Sequence, residues 1–469
     1  MTELPDWPIA QHAQTAPDDL AMLDRGTPYT FRDYAAAINR CAAALVVPPG
    51  ERVGLCLEPS FASLCLLQAL WLRGAVALPI STRLPSERVT ALVAELGLSA
   101  LFTAETMPAP AAAAALTPPP PRDVDAPAAI VLSSGSSAQA KAIVHSYASL
   151  AYNALGANAN MPIQRGDRWL LSLPLYHVSG LGILFRTALA GATVVIDDAP
   201  DWIAAIRTHH ITHLSVVSTQ LAQLVEAWEG GGACHSLKAV LAGGSHIPAP
   251  LVARACDLGI PLHLSYGSTE MGSQITTTRP DDGPEGLTTS GRLLAHRTAI
   301  VDDEGEILVK GQTLCLGVLR DGTIVSCCDS DGWFHTGDSG WFDDNGQLRV
   351  TGRRDRMFIS GGENIYPEEI EAALLDLPEI NEAAVVGIPD PTYGARPVAF
   401  VKMTTGLPRQ DEQLRIALAT VLPAFKHPDK FMDWPSHYPS GGLKVDRVFL
   451  LRHAMALMGD EADRLSVTK

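Results

Sequence analysis

Residues 131–141 form a segment whose residue types could bind a polyphosphate. The segment reads VLSSGSSAQAK, and two apolar residues lead into one glycine flanked by hydroxyl side chains, namely Ser133, Ser134, Gly135, Ser136 and Ser137. A strand that opens into such a turn presents backbone N–H groups and hydroxyls on one concave side, and Lys141 can add a positive charge at its rim. A plain flexible loop has the same composition. The segment is not a Walker P-loop, because no glycine precedes Lys141 and Ala142 follows it.

Three strand-like segments farther along the chain also end in small or polar residues. Residues 213–217 lead into a Ser-Thr-Gln turn; residues 239–242 lead into Gly243, Gly244 and Ser245; residues 263–265 end at Ser265 and lead into Tyr266, Gly267, Ser268, Thr269 and Glu270. Ligands bind outside the carboxyl ends of strands in open α/β sheets. The glycines would let backbone approach a ligand closely. Tyr266 could stack on a ring or pack in the core, and Glu270 could hold Mg²⁺ or face solvent in a turn.

A single cation interrupts an otherwise apolar predicted helix over residues 178–190. Burying Arg186 without an anion is costly, so it should meet either a structural carboxylate or, as we hypothesise, the second carboxylate of a dicarboxylic substrate. His177 ends a predicted buried strand over residues 169–177, where a histidine is usually a hydrogen-bonded core residue. His209 and His213 are four residues apart, but no acidic or Cys partner is near in the sequence, and a metal site is therefore not predicted. The chain has no GxSxG elbow, which disfavours a serine hydrolase.

The elements that position these residues read as α/β. A helix over 30–45, a strand over 52–57, and a buried helix and strand over 61–80 predict a sheet covered by helices. An Ala/Pro-rich run over 104–128 reads as a stiff surface connection. After residue 280, Asp-Gly and Asn-Gly turns between short strands predict a small antiparallel β region. Residues from 367 to about 450 predict a compact α+β domain.

Composition limits the range of partners. A chain of 469 residues is too long for one core. Its net charge of −16 argues against nucleic acid or an anionic membrane as the main partner. The eight cysteines include no CxxC pair and are expected to be reduced thiols of a cytoplasmic protein. No signal peptide is predicted at the N-terminus, and the apolar stretch 61–80 contains Gln68 and Arg73 and falls short of a membrane span.

Taken in order, these motifs resemble the adenylate-forming (AMP-binding) superfamily, which includes acyl-CoA synthetases, luciferases and nonribosomal adenylation domains. The resemblance covers essentially the whole chain. Residues 133–141 resemble the phosphate loop, YGSTE at 266–270 the adenine and magnesium motif, HTGD at 335–338 the ribose motif, and GRRDRMFISGGENIYPEEIE at 352–371 the hinge motif. Lys444, in SGGLKVDR, stands where the family has its catalytic lysine. Ala138 and Ala140 depart from the family pattern, which commonly has glycine and proline there.

The resemblance implies an enzyme that joins a carboxylic acid to CoA through an acyl-adenylate, with ATP and CoA as co-substrates and Mg²⁺ as cofactor. It implies a large N-terminal α/β domain, residues 1–354, and a small mobile C-terminal α+β domain, residues 355–469, that carries Lys444. The implied ATP-binding residues are Ser133, Ser134, Gly135, Ser136, Ser137, Lys141, Gly243, Gly244, Ser245, Ser265, Tyr266, Gly267, Ser268, Thr269, Asp338 and Arg353. The implied catalytic residues are Lys444, Glu270 (also the metal ligand) and His177, and the acyl site is implied to contain His177, Ser179, Arg186 and Gly267. Asp355 would be the hinge, and Gly361 and Gly362 would line the CoA tunnel.

The segments 169–186 and 236–248 and the loop around Lys444 resemble those of family members that act on an aryl or keto dicarboxylate, and this resemblance implies such an acid as the substrate. A short-chain, aryl or malonyl-type CoA ligase is an alternative. An adenylation domain fused to a carrier protein is disfavoured, since no carrier serine motif follows the C-terminal domain. A nucleotide-binding scaffold without catalysis is a third possibility, which the presence of Glu270, Asp338 and Lys444 opposes. Whether the chain forms a homo-oligomer stays open.

Overall fold

The fold was analysed in a computed structural model. It describes residues 4, 7–109, 123–133, 140–198, 201–232, 234–404, 407–438 and 445–467, with side chains up to residue 458. Several residues singled out above lie outside the described residues: Ser134, Gly135, Ser136, Ser137, Ala138 and Lys444.

The described helices and strands alternate along most of the chain. Up to residue 196 they are α1 (Pro8–Thr15), β1 (Leu20–Asp24), β2 (Thr27–Thr30), α2 (Phe31–Ala44), β3 (Arg52–Leu55), α3 (Phe61–Leu72), β4 (Val76–Pro79), α4 (Ser86–Glu95), β5 (Ala100–Phe102), β6 (Pro127–Ser133), β7 (Lys141–Ser146), α5 (Tyr147–Asn160), β8 (Arg168–Leu170), α6 (Val178–Ala190) and β9 (Thr193–Ile196). From residue 202 to 301 they are α7 (Trp202–Thr208), β10 (His213–Val216), α8 (Ser218–Glu229), β11 (Ala239–Ala242), α9 (Ala249–Asp257), β12 (Leu262–Ser268), β13 (Ser273–Thr277), α10 (Gly283–Gly286), β14 (Arg292–Leu293) and β15 (Arg297–Val301). The later ones are β16 (Glu306–Gly311), β17 (Gly317–Arg320), β18 (Thr323–Val325), β19 (Phe334–Phe342), β20 (Leu348–Arg353), β21 (Phe358–Ser360), β22 (Glu363–Ile365), α11 (Pro367–Leu375), β23 (Ile380–Asp390), β24 (Gly394–Met403), α12 (Asp411–Ala419), β25 (Lys430–Asp433) and α13 (Arg447–Val467), with a 3₁₀ turn at Ala424–Lys426.

Two large sheets carry the first part of the chain. One has nine strands in the order β14-β13-β12-β11-β10-β8-β9-β1-β2, and the other has seven in the order β18-β17-β7-β6-β4-β3-β5. In the first sheet β10, β11 and β12 are adjacent and parallel, with His213 opposite Ala239 and Val240 opposite Leu262. Their carboxyl ends therefore meet at one edge, as the sequence predicted.

Helix α3 lies in the core between the sheets. Its sequence is apolar all round, which is typical of a buried helix, and Leu64, Leu70 and Trp71 are at most 1% exposed. Trp71 packs against Tyr147 and Phe185 and donates its Nε1–H to the Ala128 carbonyl at 2.9 Å. This core joins the helices α3, α5 and α6 to β6. Strand β6 leads into residues 133–141, which we call the phosphate segment.

Helix α2 begins where the sequence predicts. Thr30 is the N-cap, and its hydroxyl accepts a hydrogen bond from the Asp33 N–H (3.1 Å). The Asp33 carboxylate in turn accepts from the Thr30 N–H (2.9 Å). This reciprocal capping box satisfies two backbone donors that a helix start otherwise leaves unpaired.

The sequence predicts a helix from Ser146, and α5 confirms it, but the strand β7 that precedes this helix was not predicted. The chain first returns as β7, antiparallel to β6, and α5 begins only at Tyr147, with the Ser146 hydroxyl accepting from the Ser149 N–H (3.0 Å). The KAIVHS sequence of β7 contains two β-branched residues and is buried on both faces between β6 and β17. Ser133 and Lys141, the described residues on either side of residues 134–139, are therefore paired across antiparallel strands.

The predicted strand over 169–177 is wrong in length. Strand β8 ends at Leu170, and Pro174 has no N–H with which to continue the ladder. The chain turns back over the start of α6, where a side chain on Gly180 would come within 2.1 Å of the Pro174 carbonyl oxygen. Only glycine permits that crossing.

The remaining strands form two smaller sheets. A four-stranded antiparallel sheet has the order β15-β16-β19-β20, as predicted for the region after residue 280. Strands β17 and β18 form a hairpin with its turn at Asp321 and Gly322, and β17 pairs with β7 at the edge of the seven-stranded sheet. The C-terminal sheet has the order β22-β21-β24-β23, with β25 beside β24. Helix α13 packs on it through Leu450 and Ala454; the sequence did not predict this helix.

Candidate active site

The turn after β11 lies against β12. A side chain on Gly243 would come within 2.6 Å of the Ser265 hydroxyl and 3.1 Å of the Ser265 carbonyl oxygen, so glycine allows this close approach. Gly244 has a φ of +86°, which favours glycine. Ser245 is exposed and makes no strong contact with described residues. The two strand ends thus present exposed backbone to any ligand above them.

The 266–270 motif is shaped by a tight hairpin between β12 and β13. A side chain on Gly267 would stand 1.9 Å from the Ser273 carbonyl oxygen, so this glycine is needed for the turn itself. The Ser268 hydroxyl accepts from the Met271 N–H (3.3 Å). Part of the motif is thereby fixed by local structure before any ligand binds.

His145 is a site residue that the sequence analysis missed. It is fully buried in β7, and its Nε2 lies 2.8 Å from the Thr269 carbonyl oxygen while Nδ1 lies 3.2 Å from the Ser149 hydroxyl. Burial lowers the pKa of His145 to about 4, so the ring is neutral and Nε2–H donates to Thr269. His145 joins the strand after the phosphate segment to the Thr269–Glu270 backbone. A histidine within the apolar KAIVHS run was the available signal.

Glu270 follows Thr269, the residue that His145 contacts, and is half-buried. Its backbone carbonyl accepts from the Cys315 N–H at 2.7 Å. Its carboxylate has no hydrogen bond or salt bridge to any other described residue. A carboxylate is the kind of hard oxygen donor that Mg²⁺ binds, so Glu270 could hold this ion.

Asp338, in β19, is hydrogen-bonded to two other predicted motif residues, Tyr266 and Arg353. Tyr266 donates its hydroxyl to Asp338 Oδ2 at 2.6 Å, and Arg353 Nη1 donates to Asp338 Oδ1 at 3.2 Å. Arg353 also donates to both carboxylate oxygens of Asp355 at 3.0 Å. Burial raises the pKa of Asp338, and the charge of Arg353 opposes that rise. Each Asp338 oxygen keeps a second lone pair, with which it can accept a ribose hydroxyl.

Ser133 and Lys141 lie opposite each other as paired residues of β6 and β7, and Lys141 is exposed. A phosphate-binding role for these two residues stays a prediction.

Arg186 is buried without an acidic partner among the described residues. It is 1% exposed, its guanidinium carbon lies 5.3 Å from the centre of the Trp169 ring, and its Nε and Nη2 have no hydrogen-bond partner in the described structure. Burial lowers the pKa of Arg186 to about 10. The buried Arg297, whose guanidinium donates to the Gln274 and Asn153 carbonyls, adds further positive charge nearby. Among the described residues, the structural carboxylate offered as the alternative partner is not found.

His177 and Ser179 lie at the start of helix α6. His177 is the N-cap residue, although its side chain does not cap the helix, and its ring lies 4.7 Å from that of Tyr176. Both His177 and Ser179 are half-buried. A cavity of about 310 Å³ opens beside Tyr176 between the two large sheets, with Arg25, Arg83 and Asp198 at its edge. His177, Ser179 and Arg186 do not line this cavity, so the structure does not connect it with the predicted acyl residues.

Gly361 and Gly362 form the two-residue turn between β21 and β22. Their φ values of +60° and +88° match the turn type that joins short hairpins. Both are exposed. The glycines thus have a backbone reason to be present, independent of the predicted CoA tunnel.

His209 has an acidic neighbour, contrary to the expectation from sequence. Its Nε2 lies 2.6 Å from Asp197 Oδ2. His213 instead contacts Thr212 and the Pro162 carbonyl. Asp197 is twelve residues from His209 in sequence, at the end of β9, and sheet pairing brings them together. Within the described residues no group of three or more His, Cys, Asp or Glu side chains could hold a metal ion.

Comparisons with known proteins identify the family of the chain. The sequence model for AMP-binding enzymes matches residues 9–319, and the model for the C-terminal domain of AMP-binding enzymes matches residues 369–435. The chain belongs to the AMP-binding enzyme family. The expectations of an α/β fold and of an AMP-forming acid–thiol ligase are thereby confirmed.

Relatives that match this chain over nearly their whole length share one activity. The 2-succinylbenzoate–CoA ligases of Bacillus pumilus and Bacillus velezensis are 30% and 32% identical to this chain, each over 92% of it and 94% of the relative. A variant of E. coli MenE with bound OSB-AMS superposes with a TM-score of 0.83 at 28% identity, covering 97% of this chain and 99% of that one. The o-succinylbenzoate CoA synthetase of Bacillus subtilis in complex with ATP and a magnesium ion gives 0.82 at 30% identity, covering 92% and 96%. In the described part of this family member, no helix is long and apolar enough to cross a membrane.

Proposed function

We propose that the protein is an ATP-dependent carboxylate–CoA ligase that converts o-succinylbenzoate, ATP and CoA to o-succinylbenzoyl-CoA, AMP and pyrophosphate, a step of menaquinone biosynthesis. The family membership and the full-length relatives support the reaction. The segments 169–186 and 236–248 and the loop around Lys444 resemble o-succinylbenzoate–CoA ligases. The observation that carries the choice of acid is the buried guanidinium of Arg186, whose Nε and Nη2 have no hydrogen-bond partner among the described residues.

Arg186 would bind the carboxylate of the acid that does not react. A buried cation with two unpaired N–H groups is unfavourable, and a carboxylate satisfies both its charge and its donors in a bidentate pair. A monocarboxylic acid would leave the guanidinium unpaired after its only carboxylate had reacted. A dicarboxylic substrate removes this difficulty.

In the first half-reaction the free carboxylate attacks the α-phosphorus of ATP and pyrophosphate leaves. This chemistry depends on positioning and charge neutralisation. We assign the β- and γ-phosphates to residues 133–137, with Lys141 as a peripheral cation, and the ribose to Asp338. Glu270 would hold Mg²⁺, which neutralises phosphate charge when bound. Lys444 would stabilise the charge that develops between the carboxylate and the α-phosphate.

In the second half-reaction the CoA thiol attacks the acyl carbon and AMP leaves. We propose a domain boundary between residues 354 and 355, with residues 355–469 rotating about Asp355. Rotation at this point would break the salt bridge between Arg353 and Asp355 and withdraw Lys444 from the adenylate. The turn at Gly361 and Gly362 would then line the path of the thiol, and His177 would border the acyl group.

A panel of acids with ATP and CoA, scored by the mass of the thioester, tests the proposal. O-succinylbenzoate should give a thioester, while benzoate and short-chain acids should give little. Arg186→Ala should raise the KM for o-succinylbenzoate strongly, and Arg88→Ala, which removes an exposed arginine paired with Glu95, is the matched control. An intact Arg186→Ala protein with unchanged affinity for o-succinylbenzoate would contradict the assignment. Turnover of simple aryl acids with o-succinylbenzoate inert would instead favour another acyl-CoA synthetase, and adenylation of no acid would favour a nucleotide-binding scaffold.

The proposed location is the cytoplasm. All eight cysteines are free thiols, as is usual for proteins of that compartment, and the proposed co-substrates ATP and CoA are intracellular metabolites.

A further inference from the structure

Two cysteines that take no part in the proposed reaction lie in contact below the candidate site. Cys315 precedes β17 and Cys327 follows β18, so the hairpin between them brings their ends together. Their Sγ atoms are 3.4 Å apart. Cys315 is buried with Ile143 and Val318, while Cys327 is half-buried at the edge of this small cluster.

The Cys315 backbone connects two parts of the site. Its N–H donates to the Glu270 carbonyl at 2.7 Å, and the next residue, Leu316, donates to the Val144 carbonyl of β7 at 2.8 Å. Any displacement of Cys315 is therefore transmitted to Glu270, the proposed magnesium ligand, and to β7.

We propose that Cys315 and Cys327 are a thiol-modification site that peroxide converts to a disulfide, and that this bond lowers the activity of the enzyme. The more exposed Cys327 sulfur attacks one oxygen of hydrogen peroxide, the O–O bond breaks, and water and a sulfenic acid on Cys327 form. The Cys315 sulfur then attacks that sulfur, the S–O bond breaks, and the hydroxyl leaves with the Cys315 proton as a second water. Two thiols lose two electrons, and peroxide is reduced to two waters.

The distances are consistent with both parts of the proposal. A disulfide is about 2.05 Å long, so the sulfurs must approach by about 1.4 Å from their separation of 3.4 Å. Packing of Cys315 against Ile143 and Val318 limits how much of this movement side-chain rotation can absorb. Active-site groups need to be held within about 0.5 Å, so half of the movement passed to the Cys315 backbone would displace Glu270 beyond that tolerance.

The test treats the full chain with hydrogen peroxide and maps the products by peptide mass spectrometry. A link between the Cys315 and Cys327 peptides, absent from Cys327→Ser and Cys315→Ser, supports the modification. A vicinal link between Cys327 and Cys328, or oxidation of Cys327 to a sulfinic acid without a link, would overturn it. This result does not depend on the proposed function.

The effect on activity rests on the proposed function and is measured separately, as pyrophosphate release by the same samples. The oxidised wild-type protein should lose most of its activity and regain it with dithiothreitol. Cys327→Ser should start with wild-type activity and resist peroxide, whereas Cys256→Ser, which changes a partly exposed cysteine on α9, should remain sensitive. A linked protein with full activity would overturn the inhibitory role. Untreated wild-type protein that is inactive with every acid would instead count against the proposed function.

Discussion

Replacing Arg186 by methionine should make the ligand-free protein more stable while removing its activity on o-succinylbenzoate. Burial lowers the pKa of this arginine from 12.5 to about 10. At about 1.4 kcal/mol per pKa unit, keeping the charge in the folded state costs about 3 kcal/mol at neutral pH. The Trp169 ring, 5.3 Å from the guanidinium, returns about 1–2 kcal/mol as a cation–π interaction. Methionine is flexible, fills a similar volume and packs well on an aromatic ring.

The expected gain is therefore about 1–2 kcal/mol in the free energy of unfolding, the remainder of those two opposing terms. Urea unfolding without ligand measures it, with Arg88→Met on the exposed side of α4 as the control that should change little. Thioester formation, measured in parallel, should fall with Arg186→Met and persist with the control. A loss of stability in Arg186→Met would refute the reasoning, because it would mean that the guanidinium is paired in the folded protein and is structural.

Three further predictions concern the nucleotide site. Tyr266→Phe removes the hydrogen bond to the Asp338 carboxylate and should raise the KM for ATP about tenfold, the effect of a lost bond worth about 1.5 kcal/mol; an unchanged KM would contradict the shared network. His145 has a folded-state pKa of about 4, below its ordinary 6.5, so the unfolded chain takes up a proton first as pH falls, and up to about 3 kcal/mol of stability present above pH 6.5 is lost toward pH 4. His145→Gln should flatten this part of the urea-unfolding profile between pH 7.5 and 5, and an equally steep profile would contradict the assignment. Lys444→Ala should abolish adenylate formation yet spare thioester formation from presynthesised adenylate; equal loss of both half-reactions, measured separately, would contradict the domain rotation.

Elements with strong local signals were predictable from the sequence. Helix α2 has its capping box at Thr30 and Asp33, and α6 has a continuous apolar face. The parallel strands β10, β11 and β12 are short apolar runs that end at Gly or Ser. Each of these signals depends on residues within a few positions of one another, so no knowledge of the tertiary structure was needed.

Features set by distant contacts were not predictable. The short β8 depends on the crossing of Pro174 over Gly180, and β7 is a strand only because β6 and β17 lie on either side of it. The role of His145 depends on Thr269, which is 124 residues away. Hydrophobic periodicity contains no information about such pairs.

In the site, too, the sequence identified individual residues, whereas the contacts between them required the structure. The Tyr266, Asp338 and Arg353 positions followed from family motifs, but their shared hydrogen bonds appear only in the folded chain. Arg186 could be singled out because one cation in an apolar helix is conspicuous in the sequence. The absence of a carboxylate partner among the described residues required the structure.

The central claim is that the acid is activated as an acyl-adenylate. The most direct measurement uses o-succinylbenzoate labelled with oxygen-18 in its carboxylates, incubated with the protein, ATP and CoA, followed by mass analysis of the AMP. Attack of the carboxylate on the α-phosphorus predicts one labelled oxygen in AMP and none in pyrophosphate. Unlabelled AMP, or label in an inorganic phosphate product, would contradict the account.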